Sequence, residues 1–263
     1  MYAIFLFLIH LVVRISQALT EAVQAIECWF SGSAGDHDDG ADRELLKGDL
    51  TALPKLPQHI GIVLPSSHFE ENRLEHNIER AASWCLASGV RCLSIFAPGK
   101  SFDSEHVAFV SEKLAASPLV HEAAPVRNPV VSVKRVSDEA KRDEASRFDL
   151  AVILVSAEDG CERIAKVANS IRAKAQATGK VDGSMMSADA LDKMLLFDPL
   201  LPEPQIVLRL TEDRHLELQG YPPWQLKHAE ILHYRCRNET IISIDAFRAA
   251  LYRFGRIQQR FGR

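Results

Sequence analysis

Five short apolar runs, separated by segments of helical periodicity, constrain the fold of this chain more than any other sequence feature. The runs are continuous rather than alternating, as in strands that are buried on both faces of a parallel sheet. They predict an α/β fold in which helices flank a central, mainly parallel sheet. The predicted strands are His59–Leu64, Val90–Phe96, Val130–Val136, Leu150–Ser156 and Ile206–Leu210.

Segments with helical spacing predict the helices that cover this sheet. The last one follows Ser243, a residue type that favours a helix N-cap, and ends near Phe254. We therefore expect one folded domain over residues 53–254, followed by a basic C-terminal tail over residues 255–263. The other predicted helices are Asn72–Ser88, Asp103–Ala116 and Asp159–Ala177.

The composition argues against some classes of function. The chain has 263 residues, of which 47% are hydrophobic, and a formal net charge of −4. This charge leaves no strong positive field that could hold a nucleic acid. The five cysteines are odd in number and form no CxxC pair, as is typical of reduced thiols. We therefore predict that the folded domain faces a reducing compartment and binds no nucleic acid.

The N-terminal residues 1–30 predict a membrane anchor helix. Tyr2–Val13 is apolar except for His10, but this run is shorter than the roughly 20 residues of a spanning helix. After Arg14 the pattern becomes amphipathic, so the helix either spans the bilayer with a tilt or lies on it. A secretory signal peptide is the alternative, although no basic region precedes the apolar run and no small-x-small cleavage site ends it.

Residues 31–52 are rich in Gly, Ser and Asp and predict a polar, flexible linker. The acidic cluster at 36–39 suggests a metal loop at first sight. However, Gly40 comes one residue too early for an EF-hand loop. The cluster is therefore interpreted as a solvated part of the linker.

Three segments carry a resemblance to a known family. Leu201–Leu232, with its GYPPW core, resembles the strand, loop and PPW-x5-E helix of the Nogo-B-receptor type of cis-prenyltransferase subunit. Ser156–Ile164 (SAEDGCERI) and Ser83–Phe96 (SWCLASGVRCLSIF) are similar to two further segments of that family. The resemblance covers Leu53–Arg263, so it implies a cis-prenyltransferase-like domain.

The same resemblance implies a function. Subunits of this type pair with a catalytic cis-prenyltransferase subunit in the dehydrodolichyl diphosphate synthase complex. That complex extends farnesyl diphosphate with isopentenyl diphosphate, and its polyprenyl diphosphate product serves dolichol synthesis and protein glycosylation. The implied location is the membrane of the endoplasmic reticulum, with the folded domain in the cytosol. The implied cofactor is Mg²⁺, bound in the site of the catalytic partner.

One departure from the catalytic pattern implies that this chain does not act alone. Catalytic members of the superfamily read H-I-x-x-I-M-D-G-N-x-R, whereas this chain reads HIGIVLPSS from His59 to Ser67. Pro65 stands in place of the aspartate that holds Mg²⁺ against the allylic diphosphate, and Ser66 and Ser67 replace the Gly and Asn. Proline offers no charge and no N–H group. We therefore predict an isolated chain without catalytic or metal-binding residues.

The resemblance also implies which residues act in the complex. Arg260 and Gly262 look like the terminal RxG motif, which reaches across the dimer and binds isopentenyl diphosphate in the partner's site. Arg209 stands near the position at which catalytic subunits have an arginine that binds phosphate, so it is a candidate phosphate contact. The residues predicted for the subunit interface are Tyr221, Pro222, Pro223, Trp224 and Glu230.

A second function from another class stays open at this point. The chain could be a membrane receptor or scaffold that binds protein or lipid ligands. The tail distinguishes the two functions, because a receptor has no need of Arg260 and Gly262 while a prenyltransferase subunit does.

Overall fold

The structure, a computed structural model, describes only part of the chain, and the predicted membrane anchor over residues 1–30 lies outside that part. Ser66, Ser67, Arg260 and Gly262 also lie outside it. No helix within the described residues is long and apolar enough to cross a membrane. The described residues are 39–65, 73–126, 128–136, 148–179, 183–198, 200–211, 217–235 and 241–258.

Six strands form one sheet, in the spatial order β3-β4-β2-β1-β5-β6, and every neighbouring pair runs parallel. The prediction of a parallel sheet is therefore confirmed, and β6 is a strand that the sequence did not predict. The strands are β1 His59–Val63, β2 Cys92–Phe96, β3 Val131–Arg135, β4 Leu150–Val155, β5 Ile206–Thr211 and β6 Glu230–Arg235.

The burial of the strands explains their continuous apolar runs. Every residue of β1, β2, β4 and β5 is buried, whereas β3 and β6 at the two edges are half-buried, apart from the exposed Arg235 at the end of β6. Ile60 and Ile62 of β1 face the larger of two hydrophobic clusters, and Val63 faces the smaller one on the opposite side. Apolar side chains are needed on both faces because both faces are covered.

Helices surround this sheet, and several begin at side-chain caps. Ser243 caps α7 by accepting a hydrogen bond from the backbone N–H of Ala246 at 3.3 Å, as predicted. Trp84 of α2 packs against Phe247 of α7, with ring centroids 5.6 Å apart. The helices are α1 Asp39–Leu50, α2 Arg73–Ser88, α3 Ser104–Ala116, α4 Pro118–Ala123, α5 Cys161–Thr178, α6 Ala188–Leu195 and α7 Ile244–Arg256.

The predicted flexible linker over residues 31–52 is wrong for its second half. Residues 39–50 form α1, in which Leu46 is fully buried in the larger hydrophobic cluster. Asp42 accepts a hydrogen bond from Arg80 at 2.8 Å, and both side chains are buried. A buried carboxylate is stable when a cation pairs with it. Asp42 therefore pairs with a distant residue instead of facing solvent.

The helix predicted after the GYPPW core is also wrong. Pro223–Leu226 forms a short 3₁₀ turn, and the chain then enters β6 at Glu230. Glu230 is paired with Ile206 in the register of β5 and β6. Its backbone N–H donates to the carbonyl oxygen of Gln205 at 3.0 Å. Main-chain pairing with β5 thus determines the conformation here.

Candidate functional site

The carboxyl end of β1 is the position at which the resemblance places a diphosphate loop. The backbone N–H of Leu64 donates to the carbonyl oxygen of Phe96 at 3.0 Å, so the end of β1 is tied to β2. Leu64 and Pro65 that follow the strand are both buried. Pro65 has neither a carboxylate nor an N–H group to offer. Leu64 and Pro65 therefore offer no side-chain ligand for Mg²⁺ and no charged group for an allylic diphosphate.

Arg209 lies beside this end of β1, opposite Val63 in the register of β1 and β5. It is buried, with 3% of its surface exposed. Its guanidinium donates to the carbonyl oxygen of Glu217 at 2.8 Å, to that of Val63 at 3.5 Å, and to that of Leu210. In this arrangement Arg209 joins the end of β1 to the segment that follows β5. A phosphate contact by Arg209 stays a prediction, and it would require some of these hydrogen bonds to be exchanged.

The GYPPW segment is anchored in the core by its tyrosine. Tyr221 is 2% exposed, and its ring makes edge-to-face contacts with Phe96 and Phe197, at centroid distances of 5.7 and 6.1 Å. Such contacts stabilise beyond the area that they bury. The side chain of Tyr221 is thus inside the domain, and the predicted interface would receive the turn that Tyr221 holds rather than the tyrosine itself.

Trp224 lies at the surface of the same turn, and α6 fixes its orientation. Its indole N–H donates to Oδ1 of Asp192 at 2.8 Å. Lys227 donates to the same oxygen at 2.7 Å, and its ammonium lies 5.6 Å from the centroid of the Trp224 ring. The hydrogen bond from Lys227 lowers the pKa of Asp192. Trp224 is partly exposed, so a rigid aromatic side chain is available to a partner.

The other predicted interface residues surround this turn. Pro222 is buried, Pro223 is exposed and Glu230 is half-buried. Their roles at an interface stay predictions, as does that of Trp224.

Two of the segments that carry the family resemblance meet in space. A Cβ atom on Gly160, in SAEDGCERI, would lie only 2.5 Å from the carbonyl oxygen of Gly220, the first residue of GYPPW. Gly220 itself has φ +89°, in the left-handed region that favours glycine. Glycine at both positions therefore permits a close backbone contact between the two segments.

His59, the first residue of β1, takes part in a buried hydrogen-bond network that the sequence analysis missed. Nδ1 donates to the carbonyl oxygen of Pro202 at 2.7 Å, because a carbonyl can only accept. Nε2 therefore accepts from the hydroxyl of Ser94 at 3.0 Å. Burial lowers the pKa of His59 to about 4. A neutral His59 thus connects β1, β2 and the segment before β5.

A cavity of about 310 Å³ lies beyond the carboxyl ends of β3 and β4. One wall comes from the SAEDGCERI segment, where burial raises the pKa of Asp159. The guanidinium of Arg163 donates to the carbonyl oxygens of Met194 at 2.9 Å and Val136 at 3.2 Å, so it braces the wall. The cavity carries both signs of charge, and its lining residues are Phe102, Arg135, Ser156, Glu158, Asp159, Arg163 and Lys166.

Comparison with solved structures defines the class of fold. The domain has the fold of the cis-prenyltransferases. It superposes on lavandulyl diphosphate synthase from Lavandula x intermedia with a TM-score of 0.54 and 16% identity, covering 79% of this chain and 99% of that one. A probable undecaprenyl diphosphate synthase from Campylobacter jejuni aligns with a TM-score of 0.48 and 15% identity, over 79% of this chain and 100% of that one.

Comparison of sequences points to a particular relative within that class. The chain is 28% identical over 194 residues to the dehydrodolichyl diphosphate synthase complex subunit nus1 of Schizosaccharomyces pombe. The match covers 73% of this chain and 72% of the relative. No family model matches the chain. The predicted resemblance to a subunit of the dehydrodolichyl diphosphate synthase complex is thus confirmed.

Proposed function

We propose that this chain is the non-catalytic, activating subunit of a heteromeric cis-prenyltransferase of the dehydrodolichyl diphosphate synthase type. The complex would extend farnesyl diphosphate with isopentenyl diphosphate and so supply polyprenyl diphosphate for dolichol synthesis and protein glycosylation. The observation that carries the proposal is the buried Pro65 at the end of β1, in a chain whose sequence is similar to a subunit of such a complex.

The residues around the end of β1 support a division of labour between two subunits. The side chain of Pro65 cannot ligate a cation, and the guanidinium of Arg209 is held by backbone carbonyl groups. A diphosphate ester needs its negative charge neutralised before it can leave. We assign that task to Mg²⁺ in the partner's site. This chain then contributes structure and contacts in trans rather than the metal site.

The C-terminal tail is the proposed contribution of this chain to the reaction. Arg260 can present a planar guanidinium to diphosphate oxygens, and Gly262 permits a close approach of the backbone. Both would act on isopentenyl diphosphate bound in the partner's site. α7 ends at Arg256, two residues into the predicted tail over residues 255–263. The part of the tail with Arg260 and Gly262 therefore follows a helix that is packed against the core.

The interface is proposed to lie around the turn that Tyr221 anchors. Trp224, Pro223 and Glu230 would contact the partner, because partly exposed aromatic side chains on a rigid turn often dominate interface energy. Residues 1–30 are proposed to hold the complex at the membrane of the endoplasmic reticulum, with the folded domain in the cytosol. The free thiols of Cys85, Cys92 and Cys161 suit that reducing side.

Reconstitution tests the proposal directly. The chain would be purified alone, and together with a catalytic cis-prenyltransferase that has the aspartate-containing loop. Incorporation of isopentenyl diphosphate onto farnesyl diphosphate would be measured with Mg²⁺ for each preparation and for the partner alone. We expect background activity for the isolated chain, co-purification of the two chains, and higher turnover for the complex than for the partner.

Two outcomes would overturn the proposal. Polyprenyl product from an isolated chain shown to be free of other prenyltransferases would contradict the non-catalytic assignment. If the chain neither pairs with the catalytic subunit nor activates it, the receptor or scaffold function is favoured instead.

A further inference from the structure

The C-terminal end of α7 is held by the segment that precedes β1. The ammonium of Lys55 donates to the carbonyl oxygen of Ile257, the residue that caps α7, at 2.5 Å. The same ammonium lies 4.7 Å from the centroid of the Phe254 ring. A cation at this position satisfies a terminal carbonyl group and suits the negative end of the helix dipole. Lys55 therefore stabilises the last turn of α7 and the start of the segment beyond it.

Close packing around Gly255 brings the same two segments together. A Cβ atom on Gly255, in the last turn of α7, would lie 3.0 Å from Cδ2 of Leu53 and 3.5 Å from Cδ of Pro54. The absence of a side chain at Gly255 therefore lets the segment before β1 cross the end of α7 in contact.

A second contact comes from the end of α1, one turn further back along α7. Asp49 is 8% exposed, and its carboxylate accepts two hydrogen bonds from the guanidinium of Arg248. It also accepts one from the hydroxyl of Tyr252 at 2.7 Å. The hydrogen bonds from Arg248 lower the pKa of Asp49, so the carboxylate is charged at neutral pH. One carboxylate thus holds two successive turns of α7.

We infer that residues 49–55 form a clamp on α7, and that Asp49 and Lys55 are positioning residues for the tail that follows Ile257. This inference rests on the proposed function, because it gives the clamp a role in the trans contact of Arg260. The clamp consists of these contacts of residues 49–55 with α7.

Because Arg260 is close to Ile257 along the chain, the position of Ile257 limits where Arg260 can lie. Arg260 comes three residues after Ile257, so its Cα atom can lie at most about 11 Å away even in a fully extended chain. A short tether fixes the effective concentration of the group that it carries. A shift of Ile257 would therefore shift the region that Arg260 can reach by a similar distance. Displacements of about 1 Å at a reacting centre can lower the rate by about a hundredfold.

Lys55→Met tests the clamp because it keeps the length of the side chain and removes its ammonium. The complex with the catalytic partner would be assayed for kcat and KM of isopentenyl diphosphate. We expect Lys55→Met to lower kcat/KM about tenfold, with little change in melting temperature or pairing. Lys55→Arg should recover most of the loss. The matched control is Lys47→Met on α1, whose ammonium is exposed and pairs with Glu44, and we expect no effect from it.

A second background separates positioning from general stability. In a complex whose subunit lacks residues 260–263, Lys55→Met should have no further effect, because there is no Arg260 left to position. Asp49→Asn should behave in the same way and provides a second variant if Lys55→Met lowers the melting temperature. Equal losses with and without the tail would overturn the inference, as would a Lys55→Met complex with normal kinetics.

These outcomes differ from a failure of the proposed function. If the wild-type complex gains no activity from this chain, the proposed function is wrong and the clamp loses its role with it. If the wild-type complex is activated and loss of the tail lowers its activity, the proposed function stands. The result for Lys55 and Asp49 then decides on the clamp alone.

Discussion

The hydroxyl oxygen of Tyr221 lies 2.8 Å from the point that a Cβ atom on Gly61 would occupy. Ser94 Oγ and a methyl group of Val207 lie 3.2 Å from the same point. Gly61 is in the middle of β1, so the centre of the sheet leaves space for the tyrosine of the GYPPW turn. The turn proposed as an interface is thereby seated on the strand that leads to Pro65.

Gly61→Ala should destabilise the domain by about 1–3 kcal/mol, because the new methyl group meets buried atoms on three sides. Tyr221→Phe removes the nearest of them, so the double variant should recover a large part of the loss. Urea unfolding of the four proteins measures this coupling. The matched control is Gly48→Ala on α1, where a Cβ atom meets nothing within 4 Å. If Gly61→Ala lowers the unfolding free energy equally in the wild type and in the Tyr221→Phe background, the prediction is wrong.

The buried His59 predicts a loss of stability in mild acid. Its pKa is about 4 in the folded chain, compared with 6.5 when exposed. Between these values the unfolded chain binds a proton that the folded chain does not bind. The contribution of His59 to the free energy of unfolding is therefore complete above about pH 6.5 and decreases as the pH falls. The full loss amounts to about 3 kcal/mol. His59→Asn should flatten the dependence of the unfolding free energy on pH in this window. Parallel plots of unfolding free energy against pH for the wild type and His59→Asn would contradict the prediction.

Two truncations should behave differently because α1 belongs to the folded domain. Deletion of residues 1–30 should leave the melting temperature unchanged. Deletion of residues 1–52 removes Asp42 and leaves the buried guanidinium of Arg80 without this ion pair, which costs about 3–5 kcal/mol. It also removes the buried Leu46. Differential scanning calorimetry of both proteins checks this, and similar melting temperatures would show that α1 contributes little.

Deletion of residues 1–30 should also release the chain from membranes, since these residues are the proposed anchor. Flotation with liposomes or sedimentation of membranes, in the absence of the catalytic partner, measures the bound fraction. Pairing with the partner should persist after the deletion. A truncated chain that still sediments with membranes on its own would contradict the anchor.

Arg260→Ala should lower kcat/KM for isopentenyl diphosphate about ten- to a hundredfold, because a charge-assisted hydrogen bond contributes roughly 1.5–3 kcal/mol. Gly262→Val should lower it as well, through crowding rather than loss of charge. The melting temperature and the pairing of the subunits should hardly change. Normal kinetics of the Arg260→Ala complex at subsaturating isopentenyl diphosphate would argue against a shared active site.

The strands could be predicted because their signal is local. Four of the five predicted runs are buried along nearly their whole length, and burial on both faces requires apolar residues at successive positions. The fifth, Val130–Val136, is mostly half-buried but keeps enough apolar residues to be recognised. β6 carries a weaker signal, since it is a half-buried edge strand in which Glu230, His233 and Arg235 interrupt the apolar residues. Its pairing with β5 depends on where the GYPPW turn directs the chain.

α1 and the role of Arg209 were beyond prediction for another reason. The partners of Asp42 and Asp49 are 38 and 199 positions away along the chain, so composition alone made this segment look solvated. Arg209 donates to carbonyl groups whose positions depend on the complete fold. Pro65, in contrast, could be interpreted from the sequence because the chemistry that proline lacks does not depend on its surroundings.

The pairing of Asp49 with Arg248 and Tyr252 also has a consequence for biosynthesis. The first helix of the described domain to be translated finds these partners only in the last one, 199 and 203 residues later. Contacts this far apart along a chain form late in folding. A nascent chain stalled before α7 should therefore leave the Asp49 end of α1 exposed, while Asp42 can already pair with Arg80 of α2. The domain can then be completed only after α7 has emerged from the ribosome.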